Sequence, residues 1–263
     1  RSMSTSKMAI PQGWQLLPIV ETIPSTNTWL KEHAEHLQDK TILIAREQTQ
    51  GRGRSDRSFH SARDRGLYLS VLLKETISDL PLTKLTALCA LAAHRAIKES
   101  CQLTTQIKWV NDLLCQEHKL AGILCEALYE GTRPKAFVIG FGINVFSQEF
   151  PPMDNQPGAI ADFSPIAPSM SALTFALLRH LDLCLQDIDD PKGMEEYRMA
   201  SCVLHHTVQI QEGNRSYPAD VIGIDDDGAL QIRVGTEVRT LRSAEIHIRP
   251  ANDVPSKTNR NAR

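Results

Sequence analysis

Long apolar runs are missing from this chain: nothing in its 263 residues approaches the ~18 consecutive apolar positions of a membrane-spanning helix. A one-sided charge is missing too, with 29 Lys and Arg against 31 Asp and Glu and a formal charge of −2. Such a chain does not attract nucleic acid through its overall field, so only a local basic patch could serve that purpose. The residues up to Pro11 hold no apolar core, and no secretory signal is expected there. Six cysteines form no Cys-x-x-Cys pair and no zinc-finger spacing with histidine. Cys89, Cys115, Cys125 and Cys184 lie inside apolar runs, so the set reads as reduced thiols of a cytoplasmic protein. His-Glu-x-x-His, Gly-x-Ser-x-Gly and the Walker Gly-Lys-Ser/Thr are likewise absent, which argues against zinc proteolysis, serine hydrolysis and P-loop chemistry.

What is present is a composition of ordinary globular type, 41% hydrophobic and 23% charged. The length suits one large domain with a small satellite. Pro24 to Asn27 followed by Trp29 and Leu30 predicts a capped amphipathic helix to about Gln38. Strands are expected at 14–20, 41–47, 67–74, 105–111, 120–128 and 135–145, from β-branched and apolar runs bounded by turn residues. Helical spacing of Leu85, Leu88, Cys89, Ala92 and Ala96 after Pro81 predicts a long helix, and two more are expected from Ser169 or Ser171 and from Met194. Residues 147–168 carry five of the fourteen prolines and read as a surface loop. From His206 the texture changes to short alternating strands with a turn at Asp225-Asp226-Asp227-Gly228, the pattern of a small β-barrel. The domain reading is therefore a disordered segment 1–13, a main domain 14–203, a barrel 204–250 and a disordered tail 251–263.

The polar stretch from Gln48 to Gly66 is the first candidate for function. Between Arg46 and Arg65 it holds six arginines against Glu47, Asp56 and Asp64, a local charge of +3. Gly51 and Gly53 let backbone amides approach an anion, and the arginines supply forked donors for carboxylate or phosphate. A solvated charged loop, or a patch touching RNA, fits the same composition. Lys108-Trp109-Val110-Asn111-Asp112 closes a strand, and alternation would send Lys108 and Val110 to one face and Trp109 and Asn111 to the other. That segment reads either as the rim of a site or as a plain strand-to-turn junction. Gly122 and Gly142 interrupt two strands, where glycine marks close approach by a ligand or by a neighbouring helix.

Taken in order, these segments carry a resemblance. Ser25-Thr26-Asn27, Gln48 with Gly51-Arg52-Gly53-Arg54, Leu67-Tyr68-Leu69-Ser70, Lys108-Trp109-Val110-Asn111-Asp112, Lys119-Leu120-Ala121-Gly122-Ile123-Leu124 and Gly140-Phe141-Gly142-Ile143-Asn144 follow one another as in the biotin–protein ligases. The chain resembles that family, biotin–[acetyl-CoA-carboxylase] ligase, over about Thr22 to Pro250. The resemblance implies an α+β fold: a mixed-sheet, class II synthetase-like catalytic domain followed by an SH3-like barrel. About 20 residues precede Glu21-Thr22, so the expectation is the monofunctional class without the N-terminal DNA-binding winged helix.

Implied with it are ATP and Mg²⁺ as cofactors, biotin as substrate, and the biotin carboxyl carrier domain of acetyl-CoA carboxylase as partner. No specific DNA and no membrane are expected, and a homodimer stays open. By the same resemblance Ser25, Thr26, Asn27 and Gln48 bond the ureido head of biotin. Arg52, Gly53 and Arg54 line its carboxylate and phosphate end, Lys119 bridges carboxylate and α-phosphate, and Gly122 and Gly142 floor the ring. Phe59, Lys108, Asn111 and Asn144 are the nucleotide contacts. Arg54, Lys108, Lys119 and Asp112 form the catalytic set, and Asp112 is the candidate Mg²⁺ ligand. The loop from about Gln50 to Arg65 is expected to close over the acyl-adenylate as a lid.

Two departures stand out, because the family pattern Gly-Arg-Gly-Arg-x-Gly-Arg-x-Trp has Asp56 here at its last Gly and Phe59 at its Trp; Val110 also replaces a usual Pro. The alternatives are a lipoate ligase of the same fold and a non-catalytic nucleic-acid-binding protein using the arginine loop. The lipoate reading fits Gly-Arg-Gly-Arg and Lys-Trp-x-Asn-Asp poorly.

Overall fold

The computed structural model describes residues 9–74, 79–153 and 155–248. Strand β1 (Gln15–Leu16) runs parallel to β2 (Thr41–Ala45), and every other strand-to-strand ladder among the described residues is antiparallel. The remaining strands of the main sheet are β3 (Gly66–Leu73), β4 (Gln106–Lys108), β5 (Asp112–Cys115), β6 (His118–Glu130) and β7 (Arg133–Asn144). The seven lie in the order β1-β2-β3-β7-β6-β5-β4, which puts β3, β7 and β6 at the centre.

The two faces of this sheet differ in chemistry. On one, Leu69, Val71, Ile139, Phe141, Ile143 and Ile123 are buried against helices α2 (Leu82–Cys101) and α3 (Met170–Gln186). This burial accounts for the stability of both helices, since each presents an apolar stripe to the strands. The other face is apolar at one end only, where Leu43, Ala45, Leu72, Ala136 and Val138 pack under Leu30 and Ala34 of α1 (Thr26–His33) and its 3₁₀ extension. At its other end that face carries Ser70, Tyr68, Gly140, Gly142 and Gly122, which register places side by side.

Helix α4 (Pro191–Ala200) follows Asp190, whose carboxylate caps it, and leads to the small sheet. Strands β8 (Thr207–Glu212), β9 (Arg215–Ile224), β10 (Leu230–Val234), β11 (Glu237–Leu241) and β12 (Glu245–Ile248) form an antiparallel unit in the order β11-β10-β9-β8-β12. This is the all-β unit of SH3-like type expected after the main domain, and β12 supplies its fifth strand.

Three expectations change. The strand at 14–20 shrinks to two residues plus a bridge at Val20, because Pro18 has no amide hydrogen to continue a ladder. The strand at 105–111 stops at Lys108, and a turn containing a cis Trp109–Val110 peptide replaces the alternation, so Trp109, Val110 and Asn111 are all buried. In the segment 1–13, Ile10 packs on the main core; residues 1–8 and the tail 251–263 lie outside the described residues.

The two sheets are joined at the turn between β9 and β10. Trp109 donates its indole N–H to Gly228 O at 2.8 Å, and the Thr83 hydroxyl donates to Asp227 O at 2.6 Å. Gly228 has φ +77°, and a Cβ there would stand 2.8 Å from Thr83 O. Gly228→Ala therefore combines left-handed strain with a clash against backbone, and a loss of roughly 2 kcal/mol is expected. Denaturant unfolding checks this; an unchanged midpoint would mean that the turn is not a structural joint.

Candidate active site

The glycine end of the sheet is the floor of a cavity of about 360 Å³, within the range of small-molecule sites. Every one of the expected site residues lines it: Ser25, Thr26, Asn27, Gln48, Arg52, Gly53, Arg54, Phe59, Lys108, Asn111, Asp112, Lys119, Gly122, Gly142 and Asn144. They come from α1, the arginine loop, the β4–β5 turn, β6 and β7, elements far apart in sequence.

One wall is neutral and polar. Ser25 is the N-cap of α1, where its Oγ accepts from Thr28 N and leaves its own proton for the cavity. Gln48 Oε1 accepts from Thr26 N at 2.9 Å, while its amide donates to Ser61 Oγ. Ser70 Oγ lies 2.6 Å from Thr26 Oγ1 and donates to Asn27 Oδ1 at 2.6 Å. Asn27 Nδ2 donates to Leu124 O and to Glu126 Oε2. A Cβ on Gly140 would come within 2.4 Å of Asn27 Oδ1, so glycine there is what lets this amide settle against the strand.

The facing region is cationic. Lys119 Nζ lies 2.9 Å from Asp112 Oδ1 on the neighbouring strand, with Gly122 leaving room beside the ammonium. Burial pushes the Lys108 ammonium below the ordinary lysine range, against an opposing pull from Asp112 and with an added push from Lys119. The Asn111 Oδ1 and Asn144 Oδ1 acceptors are buried without a partner among the described residues, whereas their amide nitrogens donate to Ile123 O and Gly158 O. A buried acceptor left unpaired costs about 1–3 kcal/mol, so a ligand donor at either would be favourable. Tyr197 donates to Val110 O at 3.0 Å and steadies this turn from α4.

The arginine loop is folded down over the floor. Gly53 N donates to Arg57 O and Phe59 N to Gly51 O, which closes it as a small hairpin. The Phe59 ring sits directly on Gly142, where a Cβ would come within 2.6 Å of it. Phe59 therefore covers the sheet floor with one face of its ring and lines the cavity. Asp56 has φ +58°, which explains physically why glycine would be easier at this position. The loop's charge is largely matched: Arg46 pairs with Asp64 and Glu21, Arg63 with Glu21, Arg52 with Glu126 and Arg57 with Glu245 of β12. It is not an open basic patch.

Other wall residues carry no motif. Phe150, Pro152, Met153, Asn155 and Pro157 come from the proline-rich segment expected to be a surface loop. Lys119 N donates to Gln156 O and Gly158 N to Lys119 O, so the segment is stitched to β6 as a wall. His60, Arg57 and Ser58 also line the cavity, while Ser70, Ser61 and Glu126 support it from behind. Proline content signals only irregular backbone, so nothing local in the sequence announced this wall.

Among the described residues Asp112 is the one carboxylate that lines the cavity, and they hold no cluster of three metal-ligating side chains. That donor set fits Mg²⁺, which is commonly held by one or two carboxylates plus substrate phosphates.

A model of the biotin/lipoate A/B protein ligase family matches residues 19–144, the stretch that supplies the neutral wall, the loop and the cations. The biotin–[acetyl-CoA-carboxylase] ligase of Mycobacterium tuberculosis is 29% identical over 262 residues, covering 95% of each chain. The chain is similar to this family over residues 19–144 and, through the Mycobacterium relative, over nearly its whole length. A bifunctional ligase/repressor of Bacillus spizizenii is 29% identical over 87% of this chain and 72% of its own length. The biotin protein ligase of Aquifex aeolicus, solved with biotin and ATP, shares the fold at TM-score 0.78 and 23% identity, covering 89% of this chain and 99% of that one.

The half-buried Lys108 yields a pH prediction. Its folded-state pKa is depressed, so between that value and ~10.5 the unfolded chain binds more protons, and stability gains from this group as pH rises. Anion binding that relies on its charge moves the other way. Pyrophosphate affinity should begin to fall at a pH below that at which an ordinary lysine titrates. Lys108→Arg should delay that fall; calorimetric titrations giving the same profile for both proteins would contradict the assignment.

Proposed function

We propose that this chain is a biotin–protein ligase, which activates biotin with ATP and transfers the biotinoyl group to a lysine of a biotin carboxyl carrier domain. The observation that carries the reading is the pairing, in one cavity, of a neutral hydrogen-bonding wall with a cluster of cations that includes Arg52, Arg54, Lys108 and Lys119. A urea-bearing ring with an anionic tail asks for that division. In the first step a carboxylate oxygen bonds to the α-phosphorus and pyrophosphate leaves. In the second, the acceptor amine attacks the acyl carbon, loses a proton, and AMP departs.

The chain's own residues take the following parts. Ser25 and Gln48 keep protons free to donate to the ureido carbonyl, with Thr26 beside them; Asn27 stands behind, its amide engaged by Ser70, Leu124 and Glu126. Gly53 lets the loop backbone approach the acid group. Gly122 and Gly142 keep the floor thin. Arg52, Arg54 and Lys119 offset two anions brought together, the largest barrier in such a step. Lys108 is held half-buried for the phosphate side, and the unpaired oxygens of Asn111 and Asn144 meet nucleotide donors. The Phe59 ring covers the floor and offers its other face to the base. Mg²⁺ bound with ATP would neutralise phosphate charge, and Asp112 is the residue that would hold it; its pairing with Lys119 also suits it to steer the acceptor amine.

The acceptor is the carrier domain of acetyl-CoA carboxylase, the substrate named for the Mycobacterium relative. Among the described residues no helix is long and apolar enough to cross a membrane. Nucleic-acid binding through the loop is disfavoured, because four of its arginines already face carboxylates.

Arg54→Ala and Lys119→Ala should each lower biotin-dependent ATP–pyrophosphate exchange at least ~100-fold with the fold intact, the scale of losing one preorganised charge. Near-normal exchange would remove that residue from the chemistry. Lipoate-dependent exchange in place of biotin-dependent exchange would move the protein to the lipoate branch of the biotin/lipoate ligases.

A second test concerns the lid. An acyl-adenylate is a reactive anhydride, so water must be kept from it. Tryptic cleavage within 50–65 should slow markedly when biotin and ATP are both present. Equal nicking with and without them would sink the lid.

A further inference from the structure

Glu126 lies outside the cavity lining, yet three elements that build the cavity converge on it. Its Oε1 accepts from Lys31 Nζ of α1 at 2.7 Å and from Arg52 Nη1 of the loop at 2.9 Å. Its Oε2 accepts from Asn27 Nδ2 at 3.0 Å. The side chain is only 18% exposed. Burial alone would raise its pKa, but the bonds from Lys31 and Asn27 and the charges of Lys31 and Arg52 hold the carboxyl below its ordinary range.

An ionised carboxylate can only accept, and this fixes the direction of the hydrogen bonds beyond it. Asn27 must turn its NH₂ towards Glu126, so its Oδ1 faces Ser70. Ser70 spends its one proton on that oxygen, and therefore accepts from Thr26 if the two hydroxyls bond. Thr26 Oγ1 in turn lies 3.1 Å from Gln48 Oε1. The donor and acceptor pattern of the neutral wall is thus set from one end by a charge behind it. The same carboxylate anchors the loop through Arg52.

We infer that Glu126 is a positioning residue for the small-molecule acid: it orients the Asn27–Ser70–Thr26 relay and tethers Arg52, so that the neutral wall and the loop meet the ligand in one arrangement. It touches no reacting atom. Glu126→Gln is the sharpest variant, because three donors would then compete for a single oxygen and the new NH₂ would face one of them. That leaves the Asn27 NH₂ held only by the Leu124 carbonyl and frees the loop to lift.

This inference rests on the biotin reading, and the experiment separates the two. Biotin binding would be measured by calorimetry, ATP–pyrophosphate exchange for KM and kcat, and tryptic cleavage after the loop arginines in ligand-free protein. In Glu126→Gln the Kd and KM for biotin should rise ~10-fold or more, the loss of about one charge-assisted hydrogen bond. The KM for ATP should stay within about threefold, kcat should fall because Arg52 loses its fixed place, and ligand-free loop cleavage should quicken. Glu126→Asp keeps the charge but withdraws it by one methylene, so it should fall between, and it decides the matter alone if the Gln variant does not fold. Unchanged biotin binding and loop cleavage would overturn the inference, as would equal weakening of biotin and ATP, which would mark a merely structural group. If wild-type protein binds no biotin, the proposed function fails, while the loop-cleavage comparison still tests the tether.

Discussion

The site depends on a central sheet that has no side chain at three neighbouring positions. Gly122 pairs with Gly142, and Gly140 follows two residues away on the same face. Each gap is used by a different group: Lys119 beside Gly122, Phe59 on Gly142 and Asn27 on Gly140. Any Cβ at the last two would displace what rests there. Backbone laid bare in mid-sheet weakens a strand. Here the opposite face compensates, since Ile139, Phe141 and Ile143 alternate with those glycines and are buried under α2 and α3. One face is fully apolar, so the other can be opened to build a cavity.

Electrostatics completes what the glycines allow. The five cations Arg52, Arg54, Arg57, Lys108 and Lys119 line one cavity and repel each other, and three of them are held by carboxylates, Lys119 by Asp112, Arg52 by Glu126 and Arg57 by Glu245. The pairing also fixes where each cation stands before a ligand arrives, which is the condition for electrostatic catalysis in a confined site. The loop's remaining charge is tied outward, to Glu21, Asp64 and Glu245, so the same segment that can cover the cavity is anchored to the small sheet at Arg57. The turn bearing Asn111 and Asp112 is held from the same side by Gly228 and Tyr197, through Trp109 and Val110.

Much of this was legible in the residues. Helices α1, α2 and α3 are written in capping residues and apolar spacing, and the small all-β unit in alternation and turn residues. Motif order brought the candidate site residues to one place, because ordered motifs encode which strand ends and loops must converge. The misread parts have local causes. Alternation was carried past Lys108, where the chain turns. Segment 147–168 was read as surface, because its prolines reveal backbone irregularity and not what the segment packs against.

By itself the sequence determined the chemistry on offer: glycines at fixed strand positions, arginines clustered in one loop, lysines and amides at strand ends. These follow from residue type and short-range periodicity, which do not need the rest of the chain. Only the tertiary structure decided which charges meet. Glu126 stands 74 residues from Arg52 and 95 from Lys31, at an unmarked position of an ordinary strand. Its partners are set by sheet register and by the seat of α1 on the sheet, and long-range packing of that kind has no signature in local spacing.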